Sequence, residues 1–185
     1  MTSWDSQIAA FKAAIDFSPG KTVDIVIASA GLGEGGSNRW VANIPKDPTP
    51  PPTRVVDVNF TGVYLTSHAA LWAFKNHPGN DVSWSKHIVY VSSLAGYSSM
   101  TLVQDYAGSK WGVRGIFRAL RGAPGVLGDN MPAVRCNLIA PSWVRTPMTK
   151  EFVDTVEKLG MPIAEPEDAA WIVMRMCADQ KVIGK

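Results

Sequence analysis

Residues 104–112 read QDYAGSKWG, which sets Tyr106 four positions ahead of Lys110. On a helix that spacing stacks the two side chains on one face, a turn apart. A phenol titrates at about 10 in water and shuttles protons poorly at neutral pH. An adjacent ammonium favours the phenolate. The pair can then give a proton to a carbonyl oxygen or take one from an alcohol. By itself, Tyr-x-x-x-Lys is equally at home on a solvated helix surface, so the reading depends on what else reaches the same place.

Two further residues stand out. Ser93 closes the apolar run HIVYVSS (87–93), and its hydroxyl suits an oxygen that gains charge during a reaction. Asn59 lies inside the helical pattern VVDVNFTGVY, where asparagine is a poor helix former. Taken singly, the serine reads as a strand-end cap and the asparagine as a helix-kink residue. Cys136 and Cys177 form no CxxC and read as two buried thiols. His68, His77 and His87 show no metal-ligand spacing.

The surrounding pattern supplies the frame. Apolar residues recur at helical spacing over 5–17, from Val55 to about Asn76, over 104–121, near 148–159 and over 166–179. Between them lie VDIVIASAG (23–31), HIVYVSS (87–93) and PAVRCNLIAP (132–141), short runs that suit strands buried on both faces. Alternating strands and long helices predict an α/β fold with a parallel sheet and helices on both faces. Working groups in such sheets sit past the carboxyl ends of the strands. Here those ends read ASAG, SSLAG and APSWVRTPM, all small or polar.

Bulk properties narrow the class. A chain of 185 residues, 46% hydrophobic and with a net charge of +2, suits one globular domain and argues against nucleic acid as a partner. No basic leader opens the sequence, and no window reaches the roughly 18 apolar residues of a membrane span, so the expected compartment is the cytoplasm. The segment PTPPP (48–52) carries a faint polyproline signal that a surface loop explains more simply.

In order along the chain, VDIVIASAG, VDVNFTGVY, IVYVSSLAG, YAGSK and VRCNLIAPSWVRTPM resemble five motifs of the short-chain dehydrogenase/reductase family. The resemblance runs from about residue 5 to 184. It implies a Rossmann-like, doubly wound parallel sheet and an NAD- or NADP-dependent oxidoreductase. Hydride would pass between nicotinamide and a secondary alcohol or ketone. Asn59, Ser93, Tyr106 and Lys110 match the catalytic tetrad. By the same likeness Asn59, Tyr106 and Lys110 touch cofactor or its proton-relay water, and Thr146 contacts the nicotinamide amide. Trp143 and Met148 hint at an apolar substrate.

There are departures. Ser29 and Ser142 stand where the family has Asn and Gly. No TGxxxGxG occurs in the sequence, and GLGEGG (31–36) lacks the helix-opening context of a phosphate turn. The expectation is therefore a single domain over 1–185 that lacks the family's first βαβ segment and last strand. Such a chain would bind cofactor weakly and leave two sheet edges exposed, which keeps homo-oligomerisation open. A non-catalytic remnant of the family is the competing reading.

Overall fold

The computed structural model describes residues 1–33, 44–101 and 103–182. Residues 34–36 of the GLGEGG stretch, which the sequence suggests to be a loop, lie outside them. Helix α1 (Trp4–Phe17) starts where the Ser3 hydroxyl accepts from the Ser6 N–H, with Asp5 in the first turn. Strand β1 (Ile25–Ala28) follows. Residues 44–53 form neither helix nor strand, and the proline stretch belongs to them. Next come α2 (Arg54–Val56), a π-helical turn (Asp57–Thr61) and α3 (Gly62–Asn76). Strand β2 (Lys86–Val91) leads through a 3₁₀ turn (Leu94–Gly96) into α4 (Gln104–Arg121), and β3 (Val134–Ile139) comes after it. The chain then makes β4 (Trp143–Val144), α5 (Val153–Lys158), β5 (Ile163–Ala164) and α6 (Pro166–Ala178).

The sheet is parallel, in the order β1-β2-β3, with Val26 opposite Ile88 and Ile88 opposite Cys136. One face packs Val26, Ala28, Ile88, Tyr90, Val134 and Cys136 against Val63, Ala70 and Phe74 of α3 and Val113 and Phe117 of α4. Side chains of opposite parity point to the other face, where α6 meets β3. There Arg135 donates to the carbonyls of Met176 (2.7 Å), Asp179 (3.2 Å) and Val182 (3.0 Å) at the end of α6. Helices thus cover both faces, as the pattern predicts. On β1, however, Ile25 and Ile27 remain 38% and 47% exposed, and both outer edges of the sheet are unpaired among the described residues.

Several expectations need correction. The strands are shorter than the apolar runs, because Ser92 and Ser93 turn their hydroxyls to Lys110 and Pro141 where the strand ends. The helix near 148–159 begins only at Val153. Upstream, the Thr149 hydroxyl bonds the carbonyls of Val144 and Thr146, so turn chemistry displaces the helix. The sequence pattern also misses a second, two-stranded parallel pair, in which Trp143 faces Ile163 and Val144 faces Ala164. Cys136 is buried as expected, but Cys177 is only half-buried. No helix among the described residues is long and apolar enough to cross a membrane.

Candidate active site

Asn59 sits in the π-helical turn, where the Gly62 N–H reaches back five residues to the Asp57 carbonyl. A π turn is wider than an α turn and is found mostly where a helix carries a special side chain. Here it holds Asn59 fully buried with both amide ends engaged. Its Nδ2 donates to the Leu32 carbonyl at 2.8 Å, and the Leu32 N–H donates to its Oδ1 at 2.7 Å. The side chain therefore grips the loop after β1 as a strand partner would. Nothing in an apolar periodicity foretells this pairing across 27 residues.

Lys110 is buried and fixed at both ends by the tip of β2. Its ammonium donates to the Val91 carbonyl at 3.0 Å, and its own carbonyl accepts from the Ser92 hydroxyl at 3.0 Å. The seat is tight. A Cβ on Gly96 would fall 2.7 Å from Ser92 Oγ and 2.8 Å from the Lys110 carbonyl oxygen, so only glycine fits. Ser92 is thus a positioning residue that the sequence reading passes over, although its place beside Ser93 in SSLAG was a usable signal.

Tyr106 lies in the first turns of α4, half-buried, with the Lys110 nitrogen 5.5 Å from the centre of its ring. Burial raises the phenol's pKa above its ordinary value, and the neighbouring Ser93 hydroxyl offsets part of that rise. Ser93 Oγ donates to the Pro141 carbonyl at 3.4 Å, long for a hydroxyl donor, and accepts from the Ala95 N–H at 3.2 Å. Burial also lowers Lys110 to about 8. The sequence suggests that the ammonium would depress the phenol. In this structure desolvation dominates and drives both groups toward neutrality.

Ser93, Tyr106, Lys110 and Asn59 thus gather where β1 and β2 end. Gly31 joins them, since a Cβ there would lie 3.5 Å from both Asn59 Oδ1 and Lys110 Nζ. Thr146 is placed differently. Its hydroxyl lies 3.2 Å from Thr149 Oγ1 and its N–H donates to the same oxygen at 3.1 Å, which closes a turn on itself. That turn touches the gripped loop nonetheless, because a Cβ on Gly33 would come within 2.9 Å of Met148 Cγ.

Residues 1–157 match the family model for short chain dehydrogenase. The chain belongs to this family. Among its relatives, 5'-hydroxyaverantin dehydrogenase of Dothistroma septosporum is 34% identical over 173 residues, covering 89% of this chain and 55% of its own length. An NADP-dependent dehydrogenase of Phoma sp. is 33% identical, with 78% of this chain and 43% of the relative covered. This short-chain dehydrogenase family member therefore spans about half the length of the curated relatives it matches. The fold is shared with a 3-ketoacyl-(acyl-carrier-protein) reductase of Brucella melitensis solved with NADH. That likeness has a TM-score of 0.75 and 23% identity, over 97% of this chain and 69% of the other.

Proposed function

We propose that this chain carries the proton-transfer centre of an NAD(P)-dependent oxidoreductase acting on a secondary alcohol or ketone. The observation that carries the reading is the half-buried Tyr106 phenol, which responds to the neighbouring Ser93 hydroxyl, with the buried Lys110 ammonium 5.5 Å from the centre of its ring. Tyr106 is the proton donor to a carbonyl oxygen in one direction and the acceptor from an alcohol in the other. Burial keeps its proton in place at neutral pH, which suits the donor role. Ser93 Oγ–H bonds the same substrate oxygen as its charge grows. Lys110 supplies the positive charge that eases loss of the phenolic proton.

The residues fit a nicotinamide cofactor on one side. Gly31 leaves open the space that a Cβ would fill beside Lys110 and Asn59, and the Lys110 ammonium borders that space. Tyr106 and Lys110 would hold the nicotinamide end, while Thr146 would first have to leave Thr149. When bound, the cofactor supplies the hydride. Two relatives are named as NADP-dependent, which supports the phosphorylated form ahead of NAD. The relatives carry the names of dehydrogenases, and this gives no support to a non-catalytic remnant. Trp143, tilted against Phe152 with ring centres 5.9 Å apart, and the half-exposed Met148 favour an apolar substrate.

Calorimetric titration of residues 1–185 with NADPH and with NADH tests the cofactor assignment. No glycine-rich phosphate turn is present in this sequence, so binding weaker than micromolar is expected, and weaker again in Lys110→Ala. Affinity that Lys110→Ala leaves unchanged would remove the cofactor from this site.

A further inference from the structure

Gly112 lies on α4 two residues past Lys110, and Phe60 follows Asn59 in the π-helical turn. The two meet without room to spare. A Cβ on Gly112 would come within 2.5 Å of Phe60 Cδ2 and 2.7 Å of Cε2, so the ring occupies the place where any other residue would put its side chain. These are ring atoms next to the backbone of a short turn, not the far end of a flexible chain, and they cannot step aside cheaply. Glycine in mid-helix costs about 1 kcal/mol relative to alanine. The notch is therefore present at a cost in local stability, two residues from the lysine.

The contact closes a ring of interactions around the site. From Gly112 it passes to Phe60 and along the turn to Asn59, whose amide grips Leu32 at 2.7 and 2.8 Å. Leu32 follows Gly31, where a Cβ would lie 3.5 Å from Lys110 Nζ, and Lys110 leads back along α4 to Gly112. Apart from the covalent runs along the turn and α4, the ring is held by the two Asn59–Leu32 hydrogen bonds and the close Phe60–Gly112 approach. A displacement of the turn therefore has to move the loop.

We propose that Phe60 and Gly112 are a matched pair of positioning residues that set the height of Asn59 against Lys110, and through Leu32 the depth of the Gly31 cradle. The pair touches neither reacting atoms nor cofactor and acts only through Asn59 and the loop. Its meaning for catalysis rests on the function proposed above, but its geometry does not.

The test is a compensation experiment read by NMR, without turnover. In Gly112→Ala the Phe60 ring is pushed out, the turn shifts and the loop lifts from Lys110. The Asn59 side-chain amide resonances should move, and the Lys110 titration, followed at Cε, should rise by about one unit as water reaches the ammonium. Trimming the ring in Phe60→Leu/Gly112→Ala should return both signals toward wild type. Phe60→Ala, which empties the notch, should loosen the same turn and serves if Gly112→Ala does not fold. A lowered melting temperature in Gly112→Ala with the Asn59 and Lys110 signals unmoved would show mere packing and overturn the proposal. So would failure of the double variant to restore them. Both readouts stand even if the chain proves to have no oxidoreductase activity.

Discussion

The Lys110 ammonium stands 5.5 Å from the centre of the Tyr106 ring and donates its hydrogen bond to the Val91 carbonyl. A buried cation satisfied by one backbone oxygen is poorly solvated, and its pKa falls to about 8. The folded state therefore releases a proton that the unfolded chain keeps up to about 10.4. Below pH 8 both states are charged and the folded state carries the full desolvation penalty. Between 8 and the unfolded value the penalty disappears, so this group's contribution to stability rises with pH. Lys110→Met removes the penalty altogether. The stability of wild type relative to Lys110→Met, from urea unfolding at a series of pH values, should climb from pH 8 toward 10. A flat difference would mean that the ammonium is solvated.

Ser93 and Tyr106 give a second expectation. Loss of the serine hydroxyl leaves burial unopposed, so Ser93→Ala should raise the Tyr106 pKa further above its ordinary value. Ultraviolet titration of wild type and Ser93→Ala, each minus its Tyr106→Phe counterpart, isolates this phenol. An unchanged midpoint would place Ser93 out of reach of the tyrosine.

Asn59 is the clamp of the loop after β1. Asn59→Ala leaves the Leu32 N–H and C=O without their partner and should cost about 1–3 kcal/mol of stability by denaturant unfolding. Asn59→Asp keeps an acceptor for the N–H but turns a carboxylate oxygen on the Leu32 carbonyl, so it should cost at least as much. A neutral Asn59→Ala would mean that the grip contributes nothing.

The grouping of these side chains was legible because they carry distinctive chemistry at fixed spacings: Tyr106 and Lys110 one turn apart, Ser93 at a strand end. The sheet was legible because runs such as HIVYV are apolar on both parities, as a doubly covered strand must be. What stayed hidden depends on tertiary contacts. The π turn at Asn59 follows from a bond to a backbone 27 residues away, and no periodicity encodes that. The early break before Val153 follows from Thr149, whose hydroxyl bonds within its own turn. The opposing pKa shifts of Tyr106 and Lys110 follow from burial depth, which the sequence spacing does not reveal.

His87 offers a prediction away from the site. It is fully buried on β2, with Nε2 2.8 Å from Asn137 Oδ1, and burial together with the nearby Arg135 guanidinium lowers its pKa to about 4. Between pH 6.5 and 4 the unfolded chain binds a proton that the folded chain refuses, so stability contributed by the neutral imidazole is lost as pH falls through that window. His87→Gln should flatten this part of the stability profile, measured by thermal unfolding from pH 4 to 7. An unaltered acid slope would assign it to other groups.

If Tyr106 moves the proton, the kinetics of Tyr106→Phe reveal it. NADPH-dependent reduction of a series of apolar ketones should be measured for both proteins at the highest cofactor concentration attainable, with circular dichroism confirming an unchanged fold. Removal of this one hydroxyl should lower kcat by about 10²–10⁴-fold. Turnover by Tyr106→Phe equal to that of the wild type would contradict it.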